Sequence, residues 1–418
     1  MLEEILGREN MKRAFKRVKS NKGASGVDGM TVEELLPYLN EEWVFIKSEI
    51  LEGVYNPSPV KKVEIPKSDG SKRMLGIPTV LDRLIQQAIS QKLTDIYDAG
   101  FSVNSYGFRA GKSAHQAVMQ AQKYLDAGYT EVIEFDLEKF FDKVNHDRLM
   151  TSLSKRINDK RLLKLIRKYL KTGIMENGKV SSRTEGTPQG SPLSPILSNI
   201  VLDELDKELE ERGHKFVRYA DDLSIYVRSA KSAERVKESV TRFIEGKLKL
   251  KVNQTKSKLS KPEESSLLGF TFGKRDGKWE IKISGKSYKK LKEKLKPLTS
   301  RRWSINLEVR LSRLKVTTVG WVNYFRIANC RSRLKDIDKF IRSRLRMCEW
   351  KAWKNPKTRI SNLVKLGMNK TQAYMNGYSR KSYCRVAHSP ILTTTLTNKH
   401  FTKLGYADLE SIYLKWQF

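Results

Sequence analysis

Phe216-Val217-Arg218-Tyr219-Ala220-Asp221-Asp222-Leu223-Ser224-Ile225-Tyr226-Val227 is the stretch on which the reading of this chain turns. Two short apolar runs, residues 216–220 and 223–227, flank a pair of adjacent aspartates. Runs of that kind separated by two turn residues predict a β-hairpin. Its tip would carry both carboxylates out of the sheet, where they can hold a divalent cation. An acidic turn with no further role is the competing reading, because Asp is a favoured turn residue. The two readings differ in what they require elsewhere. A metal-dependent phosphoryl-transfer site needs a carboxylate from a second segment and cations for the phosphates.

The second segment is Glu134-Phe135-Asp136-Leu137-Glu138-Lys139-Phe140-Phe141-Asp142. Asp136 stands at the end of an apolar strand, where an unpaired carboxylate is costly. It serves equally well as a helix N-cap; the pairing with Asp221 and Asp222 tips the balance toward metal. Lys67 and Arg73 flank the turn of a basic hairpin over residues 60–80, close enough to point at one triphosphate, or else to be solvated edge-strand charges. Thr187-Pro188-Gln189-Gly190-Ser191-Pro192 enters a long helix. Its glycine permits close backbone approach and the helix start favours phosphate, although Pro at a helix start is common. Lys256, after Asn253, is placed to donate a proton to leaving pyrophosphate; on its own it reads as a surface lysine.

Composition narrows the partner. The chain has 418 residues, 81 Lys+Arg against 47 Asp+Glu and a formal charge of +34. Such an excess opposes compaction unless a polyanion neutralises it, so nucleic acid is the expected partner. Residues 281–380 alone hold 27 Lys+Arg and 5 Asp+Glu, a net of +22. That pattern predicts a catalytic body followed by a basic clamp near residue 285. No run of 18 apolar residues offers a membrane span. The N-terminus has no signal-peptide pattern. Cys330, Cys348 and Cys384 lie far apart. That excludes a zinc finger or disulfide framework and points to a reducing, cytoplasmic setting.

Periodicity predicts helices over residues 83–97, 113–127, 162–170, 192–211 and 231–248, with the first 50 residues helical around a glycine-rich loop at 21–29. Thr31-Val32-Glu33-Glu34 reads as a capping box. Strands are expected at 131–136, 267–272 and 279–283, and almost pure helix from 285 onward.

In this order the motifs closely resemble those of bacterial group II intron-encoded reverse transcriptases, or maturases. Ser105-Tyr106-Gly107-Phe108-Arg109, Leu268-Gly269-Phe270 and Gly320-Trp321-Val322-Asn323-Tyr324-Phe325 narrow the resemblance. It implies an α+β right-hand polymerase. Residues 1–50 would be an N-terminal extension with a template-covering loop and 51–130 the fingers. Residues 131–284 would be the palm with an antiparallel sheet, including finger-side helices around 146–185. Residues 285–418 would be a helical thumb, domain X, with a short tail. It implies catalysis by Asp136, Asp221 and Asp222, which with the carbonyl of Leu137 would hold Mg²⁺, or Mn²⁺ in its place. Deoxynucleotide contacts would come from Lys67, Arg73, Phe141 (a steric gate against the ribose 2′-hydroxyl), Gln189 and Lys256. Template or RNA contacts would come from Gly23, Gly26, Gly29, Lys61, Arg109, Pro188, Gly190, Arg301 and Arg302.

The implied partners are group II intron RNA, an RNA template, a DNA primer or target and dNTPs, with no membrane and no zinc. The implied roles are RNA-directed DNA synthesis, splicing help and retrohoming, with the protein on the nucleoid when it holds target DNA. Without the cysteine pairs of the endonuclease region, the resemblance is to the group IIC type, priming from a fork strand or a nick. The alternatives are a reverse transcriptase of a retron, a diversity-generating or CRISPR-associated element, and a non-catalytic splicing cofactor.

Overall fold

The computed structural model describes residues 1–66, 70, 72–176 and 178–416. The chain divides into two compact units, Met1–Ser265 and Ser266–Phe418.

The first unit contains two four-stranded sheets. Their strands are β1 (Val60–Pro66), β2 (Lys72–Ile77), β3 (Glu131–Phe135), β4 (Ile174–Glu176), β5 (Lys179–Ser181), β6 (Lys215–Tyr219), β7 (Asp222–Val227) and β8 (Lys258–Ser260). One sheet runs β2-β1-β4-β5, with β1 and β2 as the expected basic hairpin and β4 parallel to β1. The other runs β6-β7-β3-β8 and is antiparallel throughout. Ile133, Phe135, Phe216, Leu223 and Ile225 from this second sheet join one core with Leu197, Ile200, Leu205 and Leu209 of the helix Ser194–Glu211.

Helix starts follow from their caps. Ser113 and Gln116 form a full capping box before Ala114–Asp126. The helix predicted from residue 83 begins earlier, at Val80, because the Thr79 hydroxyl accepts from the Asp82 amide. Buried Asp82 also accepts from Tyr55 (2.8 Å), Tyr169 (3.2 Å) and the Ser58 amide (3.1 Å), which ties that helix start to two other segments. At Thr31 only half of the capping box forms. Glu34 reaches back to the Thr31 amide, but residues 32–34 stay in turns and the helix runs Leu35–Glu52.

In the second unit, β9 (Phe270–Arg275) and β10 (Lys278–Ile283) form a hairpin about an Asp276-Gly277 turn with both φ values positive. The strand expected from residue 267 starts at Phe270, because Leu268 and Gly269 both take positive φ and make a tight turn. The unit division precedes the expected position near 285. This hairpin bonds onward in sequence: Asn329 N donates to Ile281 O at 2.8 Å, and Arg333 Nη1 to Ile283 O at 2.5 Å. Phe270 packs against Phe325 (4.8 Å between rings), and Tyr324 donates to Leu268 O (2.9 Å). The two motifs at 268–270 and 320–325 are therefore one contact. From Gly285 the chain is helical, its longest helices being Leu307–Phe325 and Arg331–Ala352. No described helix is long and apolar enough to cross a membrane.

Candidate active site

The catalytic hairpin differs by one residue from the expected one. β6 ends at Tyr219, which pairs with Asp222, so the two turn residues are Ala220 and Asp221 and Asp222 opens β7. Ala220 takes φ +58, an uncommon backbone for a residue with a Cβ. The register then does what the chemistry needs. Phe135 lies across from Leu223 in the antiparallel β3–β7 pair, so the next step of the ladder sets Asp136 across from Asp222, with Asp221 beside it in the turn.

Charge coupling shows that proximity. Desolvation, then the charges of Asp221, Asp136 and Glu134, raise the Asp222 carboxyl to about 6. Asp221 is raised by desolvation and by Asp136, with Arg73 pulling the other way. A cluster of like charges of this kind is relieved by a cation. Its donors are hard oxygens that suit a divalent ion such as magnesium. Among the described residues no three His, Cys, Asp or Glu side chains are already gathered around one point. What fits a cation here is the raised pair of carboxyls at Asp221 and Asp222, not a ligand set already gathered. Asp136 is held by its backbone: its amide donates to Ser257 Oγ (3.0 Å) and its carbonyl accepts from Asn253 N (2.8 Å). Leu137, 7% exposed, bridges Val252. Lys256 Nζ stands 3.7 Å from the Asp136 carboxylate, oriented by an Asx turn in which Asn253 Oδ1 accepts from the Thr255 and Lys256 amides.

A cleft of about 1010 Å³ is lined, among others, by Gly23, Arg73, Phe141, Gln189, Gly190 and Tyr219, the last residue of β6 before the turn. Two of the expected nucleotide contacts, Arg73 and Gln189, form one chain here with Asp142. Arg73 Nε donates to Gln189 Oε1 (2.8 Å), and Gln189 Nε2 lies 3.3 Å from both Asp142 carboxylate oxygens. Phe141 is half-buried at the cleft wall, while its neighbour Phe140 is 2% exposed. The Phe141 carbonyl accepts from Thr187 N at 2.6 Å, joining this segment to the 187–190 loop. Gly190, φ +110, lies against Gly76 O, and Gln189 O accepts from Gly76 N (2.9 Å). Lys67 lies outside the described residues.

Two expected RNA contacts have internal roles instead. Arg109 is 8% exposed, and all five of its guanidinium hydrogens face acceptors on Asp98, Ser102 and Ser105. It braces its own loop. Pro188 is buried, and its carbonyl accepts from Ser191 N and Ser194 Oγ. In the glycine loop, Gly26 lies against the backbone of Thr79, where a Cβ would come within 2.6 Å of the Thr79 Cα. Gly23 faces Arg83, which donates to Ala24 O (2.8 Å). Gly29, φ +75, faces open space. Lys61 is exposed and lines a shallow depression with Gly26 and Val27. In the second unit Arg301 and Arg302 are exposed, Arg301 over the Tyr383 ring at 4.8 Å.

The residues that hold the hairpin in place were not foreseen. Arg218 is fully buried. It pairs with buried Asp206 through Nε (2.7 Å) and Nη2 (2.5 Å), and also donates to Asn199 Oδ1, Ser105 Oγ and the Ala220 carbonyl. Gly107 lies directly behind the turn: a Cβ there would sit 2.9 Å from the Tyr219 carbonyl carbon and closer still to the Ala220 nitrogen. The available signal was a lone Arg inside an apolar strand together with an Asp on the apolar face of the preceding helix.

Comparison with known proteins agrees with this geometry. Residues 65–272 match the family "Reverse transcriptase (RNA-dependent DNA polymerase)", and residues 288–367 match "Group II intron, maturase-specific domain". The chain is 35% identical to Protein YkfC of Escherichia coli K12 over 62% of its own length and 78% of that protein. It is 30% identical to the Group II intron-encoded protein LtrA of Lactococcus lactis over 66% of its length, and spans 57% of LtrA. A chain of a partial Cas6-RT-Cas1–Cas2 complex superposes at a TM-score of 0.38, with 28% identity over 58% of this chain and 42% of that one. The fold is the right-hand polymerase fold of reverse transcriptases, and the chain belongs to the group II intron reverse transcriptases, the RNA-directed DNA polymerases that carry a maturase domain.

Proposed function

We propose that the cleft of the first unit extends a primer along an RNA template with deoxynucleoside triphosphates, and that Asp136, Asp221 and Asp222, with the Leu137 carbonyl, hold Mg²⁺. Bound there, divalent ions would activate the primer hydroxyl and stabilise the leaving oxygen. Arg73 meets the triphosphate, and Lys67, six residues before it in sequence, shares that role. Lys256 supplies a proton to pyrophosphate, and its ammonium beside Asp136 supports that role. Phe141 closes the space that a 2′-hydroxyl would fill, and Gln189, fixed by Arg73 and Asp142, frames the new base pair. One observation carries this reading: the β3–β7 register, whose last pair, Phe135 and Leu223, puts Asp136 and Asp222 at the next step of the same ladder.

The residue 51–130 and 131–265 segments act as fingers and palm, and the basic helical unit as thumb. That unit, with Arg301 and Arg302 exposed, holds intron RNA and so assists splicing and retrohoming; its charge and its maturase-specific match support the reading. Primer extension on an RNA template tests the catalytic part. Synthesis should require added Mg²⁺, survive substitution by Mn²⁺ and cease with chelator. Extension that continues in chelator would refute it. Neutralising Arg301 and Arg302 should weaken binding to a structured intron RNA and flatten its salt dependence, by about one unit of slope per lost phosphate contact. An unchanged slope would refute the RNA role of these two residues.

A further inference from the structure

At the end of the catalytic hairpin away from its turn lies a basic depression that polymerisation does not use. β6 starts at Lys215 and β7 ends at Val227. At about 3.3 Å per residue this end is roughly 17 Å from the Ala220-Asp221 turn. The start of β6, the end of β7 and the first turns of the helix Ala230–Gly246 enclose a hollow of about 740 Å³ there.

Five of its lining residues, Arg212, Lys215, Arg228, Arg235 and Arg242, are cationic, and Glu238 is the one carboxylate among them. Arg212 is answered by Glu208, and Arg242 faces Glu238 at 3.6 Å with both side chains exposed. Lys215, Arg228 and Arg235 are exposed, and among the described residues none is within ion-pair distance of a carboxylate. Arg228 is not a loose surface chain: its guanidinium is held over the Tyr129 ring at 4.8 Å.

Like charges gathered in one concavity repel each other unless an anion lies between them. The hollow is wide and open, and its cations outnumber its one carboxylate, which suits an extended polyanion better than a small substrate. We propose that it is a second nucleic-acid contact, which takes the phosphodiester backbone of a strand lying outside the polymerase cleft. The proposal rests on the nucleic-acid reading given above and adds a location to it.

The test compares the wild type with Lys215→Gln/Arg228→Gln/Arg235→Gln and with Arg235→Gln alone. The probes are a long structured RNA, a duplex DNA of equal length, a primer–template short enough to stay within the cleft, and phosphatidylserine vesicles. Extension of the short primer–template should be unchanged in both variants, which shows that the unit is folded. Affinity of the triple variant for the long RNA should fall about tenfold at near-physiological salt, with a slope shallower by roughly two to three. The single variant should lose about one unit of slope. A matching loss with the DNA would assign the site to either backbone, and a loss confined to RNA would assign it to RNA. Equal affinity and slope in wild type and triple variant would overturn the proposal. So would a loss of vesicle binding with RNA binding intact, which would make the hollow a lipid contact. A wild type unable to extend the short primer–template would instead overturn the polymerase reading beneath it.

Discussion

Arg218 Nη1 donates a 2.9 Å hydrogen bond to the carbonyl of Ala220, the residue whose left-handed backbone puts Asp221 in the turn. The same guanidinium is clamped by Asp206, so a fully buried ion pair fixes the height and direction of the catalytic hairpin. Breaking such a pair from one side leaves a buried charge without its partner. Asp206→Asn should therefore cost about 3–5 kcal/mol of stability in this unit. Replacing both residues by Leu should recover much of that stability without recovering primer extension, because the Ala220 carbonyl would still lack its donor. Denaturant melts together with extension assays check this; a stable double variant with full activity would show that the pair does not position the turn.

Gly107 and Gly111 make a matched test of backbone contact. Gly107 lies behind Tyr219 and Ala220 with no room for a Cβ, whereas Gly111 has φ +72 and nothing within 4 Å. Gly107→Ala should abolish extension and lower the melting temperature. Gly111→Ala should cost only about 1 kcal/mol, from its backbone preference, and leave extension intact. Equal effects on extension would remove Gly107 from the positioning of the site.

Phe141 faces the cleft while Phe140 is buried, and the two rings meet at 5.2 Å. Phe141→Ala should raise ribonucleotide incorporation by about one to two factors of ten while leaving deoxynucleotide extension measurable, since steric exclusion of one hydroxyl is worth about 1–3 kcal/mol. Single-nucleotide incorporation with rNTP and dNTP checks it; unchanged sugar discrimination would make Phe141 a packing residue.

His146 links the site to pH. Its Nε2–H donates to Gly186 O at 2.7 Å, and its buried Nδ1 has no partner among the described residues. Gly186 leads directly into the 187–190 loop. Burial lowers the imidazole pKa more than the Gly186 carbonyl raises it. A lowered folded value means that the unfolded chain takes up the proton first. The contribution is thus full above the ordinary value and is lost as pH falls through it. Between about pH 7.5 and 5.5 the wild-type melting temperature should drop more steeply than that of His146→Gln. Parallel curves would contradict this.

What the sequence revealed, and what it hid, follows one physical division. Period-2 and period-3.6 patterns located β3, β6, β7 and the helix Ser194–Glu211, because each buries one continuous apolar face. The three carboxylates stood out because acidic residues at strand ends carry their own chemical argument. Features that depend on long-range pairing did not show. Asp206 and Arg218 meet only once helix and strand are packed, Gly107 is explained only by the backbone behind it, and the turn shifted by one residue because Ala220 tolerates φ +58 under the Arg218 clamp. The resemblance alone put Arg109 among the RNA contacts, and its sequence neighbours did not reveal that Asp98 and the Ser102 and Ser105 carbonyls take its guanidinium.

The most direct test of the central claim is Mg²⁺-dependent primer extension by Asp221→Asn and Asp222→Asn proteins, measured beside their affinity for template RNA. Each substitution removes a negative charge from the hairpin tip with little change in side-chain shape, so RNA affinity should hold. Extension should fall by at least about a hundredfold, the scale expected when a group that holds charge in the transition state is lost. Extension at the wild-type rate by the Asp221→Asn protein would contradict the assignment of this hairpin as the metal-binding centre.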